Sequence, residues 1–570
     1  MGWFVNEFPK WAFLFLYHAT NIGLFIGYFM KYYQQDQYYY LRALVGLGLP
    51  FARGAAACLN FNCALILLPV CRNLITFVRG SCLCCKRNMR RQLDKNITFH
   101  KTVAYMICLH TAIHAGAHCF NVQNLALAWN HPDNNTAALL STLSSLPSRA
   151  NETFINFIRI PNAEPTLEVL KVVPGVSGVI ITLSLILIVT SATEVIRRSY
   201  FEVFWYTHHL FIVFFIGCII HGVQGVIRGQ TNLKEHDPHN CSSQFREWGR
   251  ATGCPNPQFG SGGAQTWMWV IGPFVIYLIE RILRMYRSFQ EVIITKVVKH
   301  PSRVIELQLK KKGFRMESGQ YIFLKCPSIS HFEWHPFTLT SSPQEDFFSV
   351  HIRLVGDWTE ALAKACIGNE KEIRPTSQLP KLAVDGPFGT ASEDVYEYQV
   401  DVLVGAGIGV TPFASLLKDM WYKYCDPGFE MKVQKVYFYW ICPDTSAFEW
   451  FSDLLSSMEQ KMAEQGKTGF FESHIFLTRG WDPNQARNIV LHEDDDEDAI
   501  TGLQQKTQYG RPQWDTIFPA IAQANPEKRI GVFCCGPKTL SSQLHKLCNI
   551  HSDPSRYANG THFYFNKENF

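Results

Sequence analysis

Six apolar runs of membrane-spanning length occupy the first half of the chain, near 11–31, 44–70, 100–120, 170–191, 203–225 and 266–286. In hydrocarbon no water is present to bond the backbone, so such runs must be helices or a closed barrel. Their length suits helices, which need about 20 residues to cross a bilayer. Val172 to Thr190 carries no charge, whereas Arg53 interrupts the second run and makes it the weakest. A mean hydropathy of −0.03 for the whole chain hides the asymmetry. Beyond about residue 288, charges, glycines and short alternating segments take over. The first run has little basic lead and no clean small-residue cleavage site, so it reads as an uncleaved anchor.

The third run holds His100 and His114, and the fifth holds His208 and His221, at separations of 14 and 13 residues. A titratable ring in lipid is costly and generally functional. A lone membrane histidine can simply bond a neighbouring helix; four at matched spacing point to a pair of metals. At about 1.5 Å per residue each pair spans ~20 Å of axis, two levels of one bilayer. Two facing imidazoles per level suit a six-coordinate haem with axial ligands from different helices, and the chain then carries two stacked b-type haems. Fourteen residues return nearly to one face, but 13 do not, so the fifth span is expected to be tilted, bulged or loosely wound. His110, His114 and His118 share a face, and His209 adjoins His208. Matched spacing selects His100 with His114 and prefers His208 over His209.

Arg72, Arg79, Lys86, Arg87, Arg90, Arg91 and Lys95 separate the second and third spans, and Arg197 and Arg198 follow the fourth. The positive-inside rule makes these loops cytosolic. Both termini and the polar half then face the cytosol, and segments 121–169 and 226–265 face outward. Sequons at Asn134, Asn151 and Asn240 fall in those outer segments, whereas Asn96 and Asn559 lie inside and should stay bare. The net charge of +5 is small and concentrated at the inner face; anionic lipid explains it better than nucleic acid. Most of the 18 cysteines lie in spans or cytosolic segments, where thiols stay reduced. Cys241 and Cys254 share the last outer loop and are expected to form a disulfide. Cys82, Cys84 and Cys85 have no partner pair at zinc spacing and read as reduced or lipidated thiols.

From Glu291 onward short strands near Val292–Val298, Val304–Leu309, Tyr321–Lys325 and Phe348–Leu354 predict a small antiparallel barrel. Within it, His335-Pro336-Phe337-Thr338 offers backbone donors and a hydroxyl to a flavin, and Arg353 offers a guanidinium to a diphosphate. A strand at Asp401–Val404 then runs into Gly405-Ala406-Gly407-Ile408-Gly409-Val410-Thr411-Pro412. Glycines allow backbone approach to a pyrophosphate at a helix N-terminus. The spacing is GxGxG rather than GxGxxG, so a plain tight turn is the competing reading. Later strands end at Cys442 and at Cys535-Gly536-Pro537, the strand-end position where open α/β sheets bind ligands. The acidic run Glu493–Asp498 reads as a solvated insertion. The expected fold is thus a multi-domain membrane protein with an all-α six-helix haem domain over 1–288, an antiparallel β-barrel FAD domain over 289–395 and an α/β nucleotide domain over 396–570.

Together these pieces resemble the NADPH oxidase catalytic subunits, a ferric-reductase-like branch with a ferredoxin-reductase-like tail. The likeness rests on Leu59-Asn60-Phe61-Asn62, Leu67-Leu68-Pro69-Val70-Cys71-Arg72-Asn73, Ile196 through His209, Gly389-Thr390-Ala391-Ser392-Glu393-Asp394-Val395 and Asn566-Lys567-Glu568-Asn569-Phe570. It covers essentially the whole chain and falls within the phagocyte oxidase group, types one to three; Tyr105-Met106-Ile107-Cys108-Leu109-His110 leans toward the epithelial type. The resemblance implies that His100 with His208 holds an inner haem and His114 with His221 an outer one, with Arg53 and His118 lining the site of oxygen reduction. A buried Arg beside a haem can also simply pair a propionate. It assigns His335, Pro336, Phe337, Thr338, Arg353 and a stacking Phe570 to FAD. To NADPH it assigns Gly405, Gly407, Gly409, Thr411, Cys535, Gly536 and Pro537, with Arg511 at the 2′-phosphate. Pro443 stands where close relatives carry a basic residue, and Arg479 splits a familiar Leu-Thr-Gly-Trp run. The implied activity is electron transfer from cytosolic NADPH to external oxygen at the plasma membrane, yielding superoxide, with a ferric-chelate reductase as the rival. Implied partners are a small membrane light chain, cytosolic organiser and activator proteins and a Rac GTPase. The residues before the first span contain no calcium-loop pattern.

Overall fold

The computed structural model describes the chain except residues 1, 82–85, 131–134, 147–153, 160–161, 163, 251–253, 301–302, 368–372, 427, 444–448, 465, 467–468, 479–497, 499–505, 554–559 and 569–570. Phe570, Asn134, Asn151, Asn559, Arg479, the cysteines at 82, 84 and 85, and all of the acidic run but Asp498 therefore lie outside the described residues. The chain forms two compact units, one of Phe13–Cys71 with Asn96–Ile279, the other of Met1–Ala12, Arg72–Lys95 and Glu280–Phe570.

In the first unit lie the helices α1 (Phe8–Gln34), α2 (Gly48–Ile66), α3 (Asn96–Asn130), α4 (Val173–Ser191), α5 (Phe201–His208), α6 (Phe211–His221) and α7 (Thr266–Ser288), the first and last of which extend beyond it. They supply six candidate membrane spans, α5 and α6 together making the fifth. The protein is an integral membrane protein. Five of the spans bury few of their residues, as expected of helices whose outer faces meet lipid, whereas Gly48–Val70 is half buried and sits among the others. Between α1 and α2 the Tyr17 hydroxyl donates to Asn62, whose amide donates to Asn21 at 2.6 Å. Buried polar groups in lipid are satisfied by one another across the helix pair.

The fifth span breaks at His209–Leu210, and the break tightens the coil. His209, Leu210 and Ile212 donate to the carbonyls of Tyr206, Thr207 and His209, three residues back, before α-helical bonding resumes at Phe214. Thirteen α-helical residues fall roughly 140° short of four turns. Each 3₁₀ residue turns about 120° and rises about 2.0 Å, so three of them recover about 60° and lengthen the segment to about the ~21 Å rise of fourteen α-helical residues. The irregularity expected from the histidine spacing is present, but as overwinding rather than loosening. Gly217 on α6 lets α4 approach, since a Cβ there would meet Ile181 at 2.3 Å.

One end of the helices is capped by a two-stranded antiparallel ribbon, β1 (Arg228–Gln230) and β2 (Phe259–Ser261), and by the Cys241–Cys254 disulfide. His236 is fully buried there, bonded to the Tyr40 hydroxyl and to the Pro255 carbonyl, each at 2.5 Å. Tyr40, Leu125 and Phe259 share its core, so the cap grows out of the helix ends.

The second unit carries the barrel and the nucleotide sheet. Strands β3 (Ile293–His300), β4 (Val304–Lys310) and β7 (Phe348–Arg353) form one antiparallel sheet, and β5 (Tyr321–Lys325), β6 (His335–Thr338) and β8 (Ala383–Phe388) another. A bridge between Leu339 and Val350 joins them, and Leu307, Leu324, Val350 and Val384 meet in one core. Strands β9 (Val400–Ala406), β10 (Lys435–Cys442), β11 (Phe471–Leu477), β12 (Gln508–Tyr509), β13 (Arg529–Cys535) and β14 (His562–Lys567) form a parallel sheet ordered β12-β11-β10-β9-β13-β14. Near-continuous burial along β9 and β13 is the signature of parallel strands covered on both faces. Asn6 is tied to the nucleotide sheet through Phe563 and Phe565.

Two of the basic residues that charge patterning assigns to a lipid face are instead consumed inside this unit. Arg79 is 3% exposed and meets Asp94 at 2.5 Å and Glu393 at 2.9 Å, and Arg90 meets Asp394 at 2.6 Å. Glu280 accepts from the Asn73 and Leu74 backbone, capping the helix Arg72–Ser81. Carboxylates crowd around this cluster. Burial pushes Asp94 up to about 7 against the pull of Arg79, and burial likewise pushes Glu568 up to about 7, although the Ser392 backbone and hydroxyl donate to it. The folded state thus holds protons that the unfolded chain releases nearer pH 4. Stability from these groups is fully present at acid pH and is lost as pH rises through 7. Thermal unfolding of the full-length protein, followed by flavin fluorescence, should show a falling transition temperature from pH 6 to 8, and Glu568→Gln should flatten that slope; an unchanged slope would reject the assignment.

Candidate functional site

The membrane unit brings the four matched histidines into two facing pairs. The rings of His100 and His208 are 6.3 Å apart between centroids, and those of His114 and His221 6.2 Å. A metal bond of about 2 Å on each side, plus about 1.2 Å from each ligating nitrogen to its ring centre, would separate two imidazoles on opposite sides of one ion by roughly 6.4 Å. Both gaps have the size of one six-coordinate iron. The ring orientation is fixed from behind: His100 Nδ1 bonds the Ile66 carbonyl at 2.9 Å, His114 Nδ1 the Ala52 carbonyl at 3.0 Å, and His221 Nδ1 the Ser177 hydroxyl at 3.0 Å. Such contacts hold Nε2 toward the gap. The two carbonyls are 14 residues apart on α2, the spacing of the two histidines they meet on α3.

Arg53 follows Ala52 directly, so its guanidinium belongs to the level of His114 and His221. It lies 5.0 Å from the Tyr32 ring centre, and its Nε is buried without a hydrogen-bond partner among the described residues. A half-buried cation with an unmet donor fits an anionic neighbour, a haem propionate or a reduced acceptor. His118 packs edge-on against His114 at 4.5 Å, with Asn121 at 3.4 Å from its Nδ1. The His110 nitrogens are buried without such a partner, and His209 turns back to the Trp205 carbonyl at 2.7 Å.

On the barrel, β6 is the edge of its sheet, so one side of its backbone is not used by the ladder. His335 stacks on Trp358 at 4.1 Å, and burial holds its imidazole below the usual value despite Glu333. Phe337 stacks on the same indole at 6.1 Å, Pro336 is exposed, and Thr338 is buried. The Leu339–Val350 bridge brings β7, ending in the exposed Arg353, alongside this segment. The residues fit a flavin: an edge backbone, flat rings and a cation for a diphosphate.

Chain order reverses in the parallel sheet between β9 and β13, and ligands bind outside the strand ends at such a switch point. Gly405 pairs with Cys535 across it. Gly407 has φ +55°, a conformation glycine adopts without strain, and a Cβ at Gly409 would meet the Cys535 carbonyl at 2.4 Å. The glycine turn, Thr411 at the start of the helix Thr411–Cys425, and Cys535-Gly536-Pro537 therefore form one wall. Burial pushes the Cys535 thiol far up, so it stays protonated. Arg511 is exposed just beyond β12, at the same carboxyl end of the sheet. Asn240, beside the Cys241–Cys254 disulfide, is exposed.

Some site contributors carry no sequence signature. The Ala52 and Ile66 carbonyls are backbone, and Ser177 and Trp358 sit in unremarkable runs. Asp419 accepts from Ser318, Gln344, Lys423 and Tyr396, docking the barrel to the helix that follows the glycine turn. Burial pushes its carboxyl up, but these bonds hold it below the usual range.

The parts of the chain match three families in sequence order. Residues 53–219 match the ferric reductase like transmembrane component, 289–392 the FAD-binding domain, and 398–549 the ferric reductase NAD binding domain. Fold and site define a membrane-embedded electron-transfer flavoprotein with FAD, NADPH and haem as cofactors. Full-length relatives narrow this further. NADPH oxidase 3 of Homo sapiens is 51% identical over 570 residues, covering 100% of this chain and 99% of its own. NADPH oxidase 1 of Mus musculus is 51% identical, covering 100% and 95%. A superoxide-generating NADPH oxidase heavy chain of Dictyostelium discoideum is 38% identical, covering 100% and 98%. The chain belongs to the NADPH oxidase family.

If His114 and His221 embrace one haem, His221→Leu should halve the haem absorbance of the purified protein while leaving its flavin in place. Ser177→Ala should keep both haems but shift the potential of one. Full haem content in His221→Leu would exclude the pairing.

Proposed function

We propose that this protein passes electrons from NADPH across the membrane to molecular oxygen, releasing superoxide. The reading is carried by two imidazole pairs at iron-sized gaps in a chain 51% identical, end to end, to named NADPH oxidases. When bound, FAD takes up a hydride and releases single electrons, which haem iron can carry. His100 with His208 holds the inner haem and His114 with His221 the outer one. Each haem would be held by a histidine from each of two helices and would supply one-electron chemistry. The Arg53 cation and the His118 imidazole are positioned to favour the negative charge of the product. His335, Pro336, Phe337, Thr338 and Arg353 hold FAD, with Phe570 stacking on its ring. Gly405, Gly407, Gly409, Thr411, Cys535, Gly536 and Pro537 cradle the nicotinamide nucleotide, and Arg511 meets the 2′-phosphate.

Positive-inside bias supports an orientation with termini and dehydrogenase parts cytosolic and with Asn134, Asn151 and Asn240 as outer glycosylation sites, and the family resemblance supports the plasma membrane as its location. The proposed divisions are 1–288, 289–395 and 396–570. Family membership supports a small membrane light chain, organiser and activator proteins and a Rac GTPase as partners. The matches to ferric reductase families favour one second reading, a ferric-chelate reductase with the same electron path.

The discriminating assay is NADPH-driven reduction of an external reporter by membranes co-expressing the light chain and activators, with and without superoxide dismutase, beside a ferric-chelate assay. Dismutase-sensitive reduction is expected; chelate reduction alone, with haem intact, selects the second reading. Arg511→Ala should raise KM for NADPH about 10- to 100-fold, the worth of a charged hydrogen bond, and leave KM for NADH unchanged. An equal effect on both nucleotides would remove Arg511 from the 2′-phosphate.

A further inference from the structure

Three adjacent strands of the barrel each present one metal-ligating side chain to the same outer face. His300 ends β3, Glu306 lies on β4 and His351 on β7. Glu306 is directly opposite His351, and opposite Val298, two residues before His300. Their ligand atoms lie within 4.8 Å of one another, with Glu306 Oε2 3.9 Å from His300 Nε2 and 4.0 Å from His351 Nε2. Those two separations exceed a hydrogen bond. An ion at the centre of the three atoms sits about 2.5 Å or less from each, and an inward shift of about 0.4 Å gives the 2.0–2.2 Å of zinc bonds to imidazole and carboxylate.

The groups behind the ligands are arranged as metal sites arrange them. His351 Nδ1 is bonded to the Thr340 hydroxyl at 2.8 Å, itself 2.9 Å from Ser349 Oγ, which fixes the ring with Nε2 toward Glu306. Gln308 Nε2 donates to Glu306 Oε1 at 3.0 Å, leaving Oε2 facing the histidines. Outer partners of this kind orient ligands and tune affinity. Side-chain exposures of 17%, 15% and 10% keep the trio partly dehydrated yet reachable. The nearby Lys418 ammonium is turned to Glu345 at 3.5 Å.

We propose that His300, Glu306 and His351 form a divalent transition-metal site of the zinc class, with water completing a four-coordinate shell. The ion pins β3, β4 and β7 together, two residues from the end of β7. The site neither uses the haem histidines nor depends on the electron-transfer reading.

Zinc and cobalt titrations of the purified full-length holoprotein test it. Calorimetry should find one more zinc equivalent bound by the wild type than by Glu306→Gln, and bound cobalt should give the intense visible bands of a four-coordinate ion that the variant lacks. Thr340→Val should retain the site with 10- to 100-fold weaker zinc affinity. Haem and flavin absorbance report that each variant is folded; should Glu306→Gln lose flavin, His300→Asn makes the same comparison. Identical zinc stoichiometry and affinity in wild type and variants, or only six-coordinate cobalt spectra, would overturn the proposal.

Discussion

Two imidazoles facing each other with ring centres about 6 Å apart, twice in one helix bundle, constrain the membrane half more than any other contact. Neutral rings at that separation do not attract one another enough to offset the loss of water. Helix spacing must hold the gap, and α2 supplies it by lending carbonyls at Ala52 and Ile66 to α3. The close approach of α4 at Gly217 and the Ser177 bond do the same for His221. Helix packing here serves the gaps, and the polar network of Tyr17, Asn21 and Asn62 locks α1 to that frame.

In the second unit the equivalent constraint is the switch point of the parallel sheet. Gly405, Gly409 and Cys535 crowd where β9 and β13 diverge, and a side chain larger than hydrogen at Gly409 has no room. Asp419 connects that wall to the barrel through Ser318 and Gln344. The carboxylate cluster around Arg79 and Arg90 then ties the basic segment 72–95 to the stretch carrying Glu393 and Asp394.

Much of this was legible in the sequence, because lipid and sheet geometry leave distinct periodicities. Five of the spans fall within about four residues of the helices, the third stops ten residues short of the helix end at Asn130, and the strands at 304–309, 321–325 and 436–440 lie inside β4, β5 and β10. The four histidines were singled out by their spacing, their pairing followed from the family resemblance, and the Cys241–Cys254 bridge was readable from topology. What stayed hidden has a common cause. A backbone carbonyl has no residue identity, so Ala52 and Ile66 could not be found. Long-range pairs such as Arg79 with Glu393 leave no local pattern, so a basic run looked like a lipid-facing one. The sense of the irregularity in the fifth span was also out of reach, since spacing demands a change of winding without specifying its direction.

The overwound turn at His209–Leu210 makes residue count, rather than residue type, the quantity this span must conserve. Apolar side chains between His208 and His221 can exchange as long as they face lipid or pack. One residue added or removed rotates everything beyond it by about 100° and shifts it about 1.5 Å. Removing a residue swings one imidazole away from its partner, whereas an added residue keeps the two in register only if the overwound turn relaxes to a regular α-helix, since fourteen α-helical residues return nearly to one face. Deletions in this short interval are therefore far more damaging than substitutions.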